Sequence, residues 1–230
     1  CILFWRTQRA YNLSSFCLPQ QNTYFNLSYF GNDFIFITFF IMQNEFSVKT
    51  TKKTWNELFS FNNNDLDFKL IDFWSWNTSD LLNNAMRWKL AEFIIAKALW
   101  IANTFRIEWD EYDLVYNDIK IEIKSWAYIQ SWEQDKYSNI VLTVKPTKDY
   151  NWTDFKRQSD IYIFAILSYK DAKTINPLQL EQWDFYVIKT NTLNENLLQQ
   201  KTIGLNWLLK LNPIKCSFEN LKKVVDTINE

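Results

Sequence analysis

The sequence predicts a mixed α/β domain, with a mixed central sheet flanked by helices. Three stretches predict it: apolar residues at helical spacing through 81–101, a strict two-residue alternation at 119–124, and an unbroken apolar run at 161–167. At 230 residues and 47% hydrophobic, the chain is long enough to bury one sizeable core.

The elements follow in order. Residues 43–70 are polar and asparagine-rich, and 61–65 read as a loop. A helix is expected next, capped by Thr78 or Ser79, with Asp80 in its positive first turn. Leu82, Met86, Leu90, Phe93, Ile94, Ala98 and Ile101 form its apolar face. A hairpin follows, with strands at 112–115 and 119–124 joined through Tyr116, Asn117 and Asp118. A third strand fits 139–144. A fourth fits 161–167, apolar enough to be buried on both faces, and a fifth fits 185–189. The end reads as helix, over 205–211 and again over 218–228, with Ser217 as cap.

Composition removes whole classes of chemistry. Histidine is absent, so Ser-His-Asp triads, Cys-His dyads and histidine-bound zinc are excluded. Cys1, Cys17 and Cys216 show no metal-ligand spacing and no disulfide framework. The net charge of −1 exerts no global pull on nucleic acid, so any such binding must use local basic groups. Carboxylate, lysine and metal chemistry remain for hydrolysis.

The chain begins at Cys1, and its first methionine is Met42. The apolar run at 34–41 is too short to span a bilayer, which takes ~20 residues. Residues 1–41 read as an N-terminal extension with a buried strand, or as translated sequence upstream of a start at Met42. The second is favoured, leaving 42–230 as a single domain. A cytoplasmic location without a membrane partner is expected.

The chemistry-bearing pattern is Asp-x8-Glu-x-Lys: Asp113, Glu122 and Lys124. Alternation puts Ile119, Ile121 and Ile123 on one sheet face and Lys120, Glu122 and Lys124 on the other. A tight hairpin brings Asp113 to Glu122. Two carboxylates can hold a hard cation such as Mg²⁺, which lowers the pKa of bound water and neutralises charge on a phosphate. A neighbouring lysine can orient or deprotonate the water, or stabilise the transition state as a point charge. The carbonyl of Ile123 is a further candidate ligand. Glu92, inside an apolar helical stretch, needs a partner if buried; a metal or Lys124 would supply one. On spacing alone, a solvated sheet face explains Lys-x-Glu-x-Lys more often than a metal site does.

The trio resembles the PD-(D/E)XK nuclease superfamily, with Glu92 on the preceding helix. The longer string Ser125-Trp126-Ala127-Tyr128-Ile129-Gln130-Ser131-Trp132 is similar to an uncharacterised bacterial branch of it, as are 159–164 and 180–187. The resemblance covers roughly residues 72–210. It implies a restriction-endonuclease-like αβββαβ core and cleavage of nucleic acid, DNA ahead of RNA, with Mg²⁺ as cofactor and Mn²⁺ as a substitute. Asp113 and Glu122 would be metal ligands and Lys124 the catalytic lysine, with Glu92 a further ligand or a positioning group. Gln130 and Ser125 would lie at the substrate. Tyr112 stands where the superfamily motif has proline. A homodimer is allowed for. The alternative function is a non-catalytic nucleic-acid- or protein-binding module on the same fold.

Glycine occurs twice and tryptophan twelve times, where ordinary usage predicts roughly 16 glycines. Trp88, Trp100 and Trp126 stand where the resemblance leads one to expect small residues. Trp100 falls where a glycine would end the helix. Two accounts fit: UGA codons for glycine read as tryptophan, or AT-rich compositional drift, which the many Asn, Ile, Lys and Phe residues also suggest.

Overall fold

The computed structural model describes residues 23–30, 34–41, 48–103, 105–106, 111–148 and 155–228. The chain divides into two units, Cys1–Thr51 and Lys52–Glu230. In the first, β1 (Thr23–Phe30) pairs antiparallel with β2 (Phe34–Ile41), which is the apolar run seen in the sequence. Met42 lies outside the described residues.

The second unit opens with a hairpin of β3 (Leu58–Phe61) and β4 (Asn64–Lys69). Its turn residues Asn62 and Asn63 have φ of 50° and 62°, a conformation asparagine tolerates. The loop expected over 61–65 is thus the tip of a hairpin. α1 (Leu70–Thr78) and α2 (Asn84–Ala98) follow. The single helix expected across 81–101 therefore starts later, and its caps differ. The hydroxyls of Thr78 and Ser79 donate back to the carbonyls of Trp74 and Ser75, closing α1. Asp80 accepts from the Leu82 and Asn83 N–H groups in a turn, and Asn83 caps α2 by accepting from Ala85 N–H at 3.0 Å. The buried face of α2 is Ala91, Ile94, Ile95 and Ala98, whereas Phe93 points outward.

β5 (Leu114–Tyr116) and β6 (Ile119–Ala127) form the expected hairpin around Asn117 and Asp118, at φ 47° and 64°. β7 (Val141–Thr143) comes next, then the short pair β8 (Thr147–Lys148) and β9 (Phe155–Lys156). β10 (Ile161–Leu167) and β11 (Trp183–Lys189) are antiparallel neighbours. α3 (Thr190–Leu197), β12 (Thr202–Gly204), α4 (Leu205–Lys210), β13 (Ile214–Cys216) and α5 (Phe218–Thr227) complete the unit. Ser217 stands at the N-cap of α5, but its side chain makes no capping bond.

The central sheet runs β13-β11-β10-β6-β5. Only β10 and β6 are parallel, so the sheet is mixed, with helices on its flanks. All seven residues of β10 are buried, and alternation divides them between two cores. Ile161, Ile163, Ala165 and Leu167 pack with Ala91 and Ile95 of α2 and Leu221 and Val225 of α5. Tyr162, Phe164 and Ile166 pack with Leu142 of β7, Leu193 of α3, Ile203 of β12 and Leu208 of α4. A strand this apolar must have cover on both faces and a neighbour on both edges, and it takes the place beside β6. The third expected strand therefore lies elsewhere: β7 pairs with β12 in a layer over the sheet.

α2 ends in a Schellman motif. Ile101 N–H donates to Ala96 O at 2.9 Å and Trp100 N–H to Lys97 O at 3.2 Å. Trp100 is the left-handed residue, with φ 63°, the position where glycine is favoured because a Cβ meets the following carbonyl. Trp55 is likewise left-handed, at φ 78°. Among the described residues, no helix is long and apolar enough to cross a membrane.

Candidate functional site

The hairpin positions the central pair. Leu114 and Ile121 are its last register partners, and Asp113 stands just before the paired strand. Asp113 N–H donates to Ile121 O at 3.0 Å, and its Oδ2 accepts the Ile123 N–H at 2.7 Å. Glu122 and Lys124 share a face of β6, as alternation requires, and Lys124 Nζ donates to Glu122 Oε1.

Glu92 reaches the same cluster from α2. It is only 3% exposed. The partner that its burial demands is Arg106, absent from the sequence-based candidates. Arg106 Nε donates to one Glu92 oxygen and Nη2 to the other, the latter at 3.1 Å. Its guanidinium carbon also sits 4.9 Å from the Trp88 ring centre. Arg106 follows α2 in a segment with no apolar period, so its only sequence signal was a carboxylate in an apolar helix that needed a counter-ion.

Burial pushes the carboxyls of Glu92, Asp113 and Glu122 all above their ordinary values. Lys124 and Arg106 pull part of the way back. Asp113 adds to the upward push on both glutamates through like-charge repulsion. The cluster is one of three carboxylates and two cations, short of positive charge. Glu122 and Lys124 remain about one-fifth and one-quarter exposed, so a solute can reach them.

Tyr162 is a second residue the sequence reading missed, hidden in an apolar strand. It pairs with Glu122 in the parallel β6–β10 register. Its hydroxyl is pushed above its ordinary value by burial first and then by the Glu122 carboxylate.

Two expected substrate residues are placed differently. Ser125 is one position out of phase with Lys124, so its side chain lies on the opposite sheet face, with Ile121 and Ile123. Gln130 is buried; its Oε1 accepts from Arg87 Nη1 at 2.9 Å and its Nε2 donates to Ala127 O at 2.8 Å. Its amide is committed to tying the end of β6 to α2. Trp126 does share the Glu122 face, and its indole N–H is buried without a hydrogen-bond partner.

The donors fit a hard divalent cation, since they are carboxylate oxygens without thiolate or imidazole. Among the described residues, no three acidic or thiol groups stand gathered as a metal cage. Glu122 instead holds Lys124, Glu92 holds Arg106, and Asp113 holds the Ile123 N–H. Comparison with family models, curated proteins and solved structures returns no match.

Proposed function

We propose that this chain is a divalent-metal-dependent nuclease with a restriction-endonuclease-like core, acting on DNA ahead of RNA. The observation that carries the reading is that Asp113, held by the Ile123 N–H, lies within electrostatic reach of Glu122, with Lys124 beside Glu122 on one accessible face. Asp113 and Glu122 are the residues to hold Mg²⁺ or Mn²⁺. Such an ion, when bound, neutralises phosphate charge and acidifies a water ligand. The Ile123 N–H fixes one Asp113 oxygen, which limits how that carboxylate can turn. Lys124, held by Glu122, is placed to orient the attacking water or to stabilise charge developing on the phosphate. Tyr162, the register partner of Glu122, and Trp126, further along the same face of β6, belong to the second core. The test is Mg²⁺-dependent nicking of a supercoiled plasmid by the full chain, with chelator as control.

A second reading, a non-catalytic nucleic-acid-binding module, draws support from the exposed rings of Phe59, Phe61, Phe68, Phe73 and Trp76 on β3, β4 and α1. Exposed rings can stack on unpaired bases. DNA binding without cleavage in Mg²⁺ or Mn²⁺ would favour it.

A further inference from the structure

We infer that the β3–β4 hairpin and α1 form a docking face for a second copy of this chain. The inference does not depend on the nuclease reading. The hairpin is a two-stranded sheet of its own, with every residue exposed. α1 has no buried residue. A lone two-stranded sheet is marginal in water and gains stability when an apolar face is covered.

The hairpin has such a face. Phe61 is the register partner of Asn64, and Leu66 and Phe68 follow Asn64 at two-residue steps on the same side of β4. Phe59 stacks on Phe68 with ring centres 4.7 Å apart, which brings it to that side as well. Asp65 and Asp67 lie on the other side, where Asp65 pairs with Ser60. α1 follows β4 without a loop and adds Phe73 and Trp76, one turn apart with ring centres 6.5 Å apart. Phe61 is 68% exposed and Trp76 83% exposed.

Area and charge together select the occupant. Taking a full aromatic surface as about 200 Å², these two residues with Phe59, Leu66, Phe68 and Phe73 expose roughly 600 Å². A stable interface covers about 800 Å² on each partner, a little over half of it apolar, so the face supplies the apolar share of one. Residues 58–78 carry Asp65, Asp67 and Asp72 against Lys69, an excess that repels a phosphate backbone or an anionic headgroup. Stacking on unpaired bases uses a basic groove beside the rings, whereas Phe59, Phe61, Asn64, Leu66 and Phe68 are uncharged. An uncharged face meets its own copy without like-charge repulsion, and a twofold axis matches the patch to itself.

The experiment measures the mass of the full chain by sedimentation equilibrium over a concentration series, with amide hydrogen exchange across 58–69. Wild type should move from 27.8 kDa toward twice that mass as concentration rises, and exchange at 58–69 should slow in step. Phe61→Glu and Trp76→Glu each put an unpaired charge into both halves of the interface and should weaken the dimer at least about a hundredfold. Both side chains are exposed in the single chain, so the variants should keep the wild-type circular dichroism. Leu178→Glu, at a residue 63% exposed outside this face, should leave the mass series unchanged.

A chain that keeps the mass of one copy at every concentration overturns the inference, whether 58–69 exchange freely or are protected by another segment of the same chain. A dimer that survives both Phe61→Glu and Trp76→Glu also overturns it. So does a Phe61→Glu variant with an unchanged mass series that loses binding to single-stranded DNA or to phosphatidylcholine vesicles, since the face then serves bases or a bilayer. An intact wild-type dimer without metal-dependent cleavage supports this inference and removes the nuclease reading alone.

Discussion

Asp113 Oδ2 is pinned by the Ile123 N–H at 2.7 Å, which holds its carboxylate within electrostatic reach of Glu122. Two carboxylates are thus held together in a half-dry environment by the backbone of one two-residue turn. Burial pushes both upward from their ordinary values, and the Asp113 carboxylate adds to the push on Glu122. An arrangement that costs stability in the metal-free protein is what a cation-binding site requires.

The first prediction follows from that cost. Glu122→Gln is expected to raise the thermal midpoint of the metal-free protein while abolishing Mg²⁺-dependent cleavage. The pH dependence has a definite sign. A carboxyl raised in the folded state binds its proton more tightly there than in the unfolded chain, so stability falls as pH climbs above the ordinary carboxylate value. The midpoint of wild type relative to Glu122→Gln should therefore drop as the pH rises above about 4, the ordinary carboxylate value, and adding Mn²⁺ should close the gap. Scanning calorimetry checks it; a gap that widens with acidification would count against the site.

The second prediction concerns the left-handed tryptophans. Trp100→Gly should stabilise the protein by about 1–2 kcal/mol, the cost of placing a Cβ in that region, partly offset by the greater freedom of glycine in the unfolded chain. Trp55→Gly should act in the same direction. Urea denaturation reads both. If the tryptophans are glycine codons translated otherwise, the gene carries UGA at 55, 88, 100 and 126 and UGG at Trp183, whose buried indole donates to Pro177 O at 2.9 Å. UGG at 100 would refute that account whatever the stability result.

A third prediction separates Gln130 from the chemistry. Gln130→Leu removes the acceptor of Arg87 Nη1 and the donor to Ala127 O. The expected outcome is a loss of roughly 1–3 kcal/mol, the cost of leaving buried polar groups unpaired, with KM for the duplex unchanged in the protein that remains folded. A raised KM at full stability would return Gln130 to the substrate.

Local signals in the sequence were read well where one segment decided the outcome. The Asn117-Asp118 turn and the alternation of Ile119, Ile121 and Ile123 specify the hairpin without reference to the rest of the chain. The seven apolar residues of β10 announce a strand buried on both faces. Pairing across long stretches was not legible: nothing in Val141–Thr143 says that its partner is Thr202–Gly204 rather than β6. The polar look of 43–70 concealed β3 and β4, whose residues are all exposed and so lack the pattern that burial imposes. Within the site, Asp113, Glu122 and Lys124 were visible because one hairpin carries all three. Alternation puts Ser125 on the face opposite Lys124. Arg106 was missed because its partner Glu92 lies fourteen residues away, across a helix end that no periodicity connects.

The most direct measurement of the central claim is plasmid nicking by Lys124→Ala beside wild type, in Mg²⁺ and in chelator, with calorimetry to show that the variant folds. Wild type should nick only with metal. Lys124→Ala should bind Mn²⁺ and fold as wild type does yet lose at least about a hundredfold in rate, the scale of removing one preorganised charge from a transition state. Nicking at the wild-type rate by Lys124→Ala, or no metal-dependent nicking by wild type, would contradict the account.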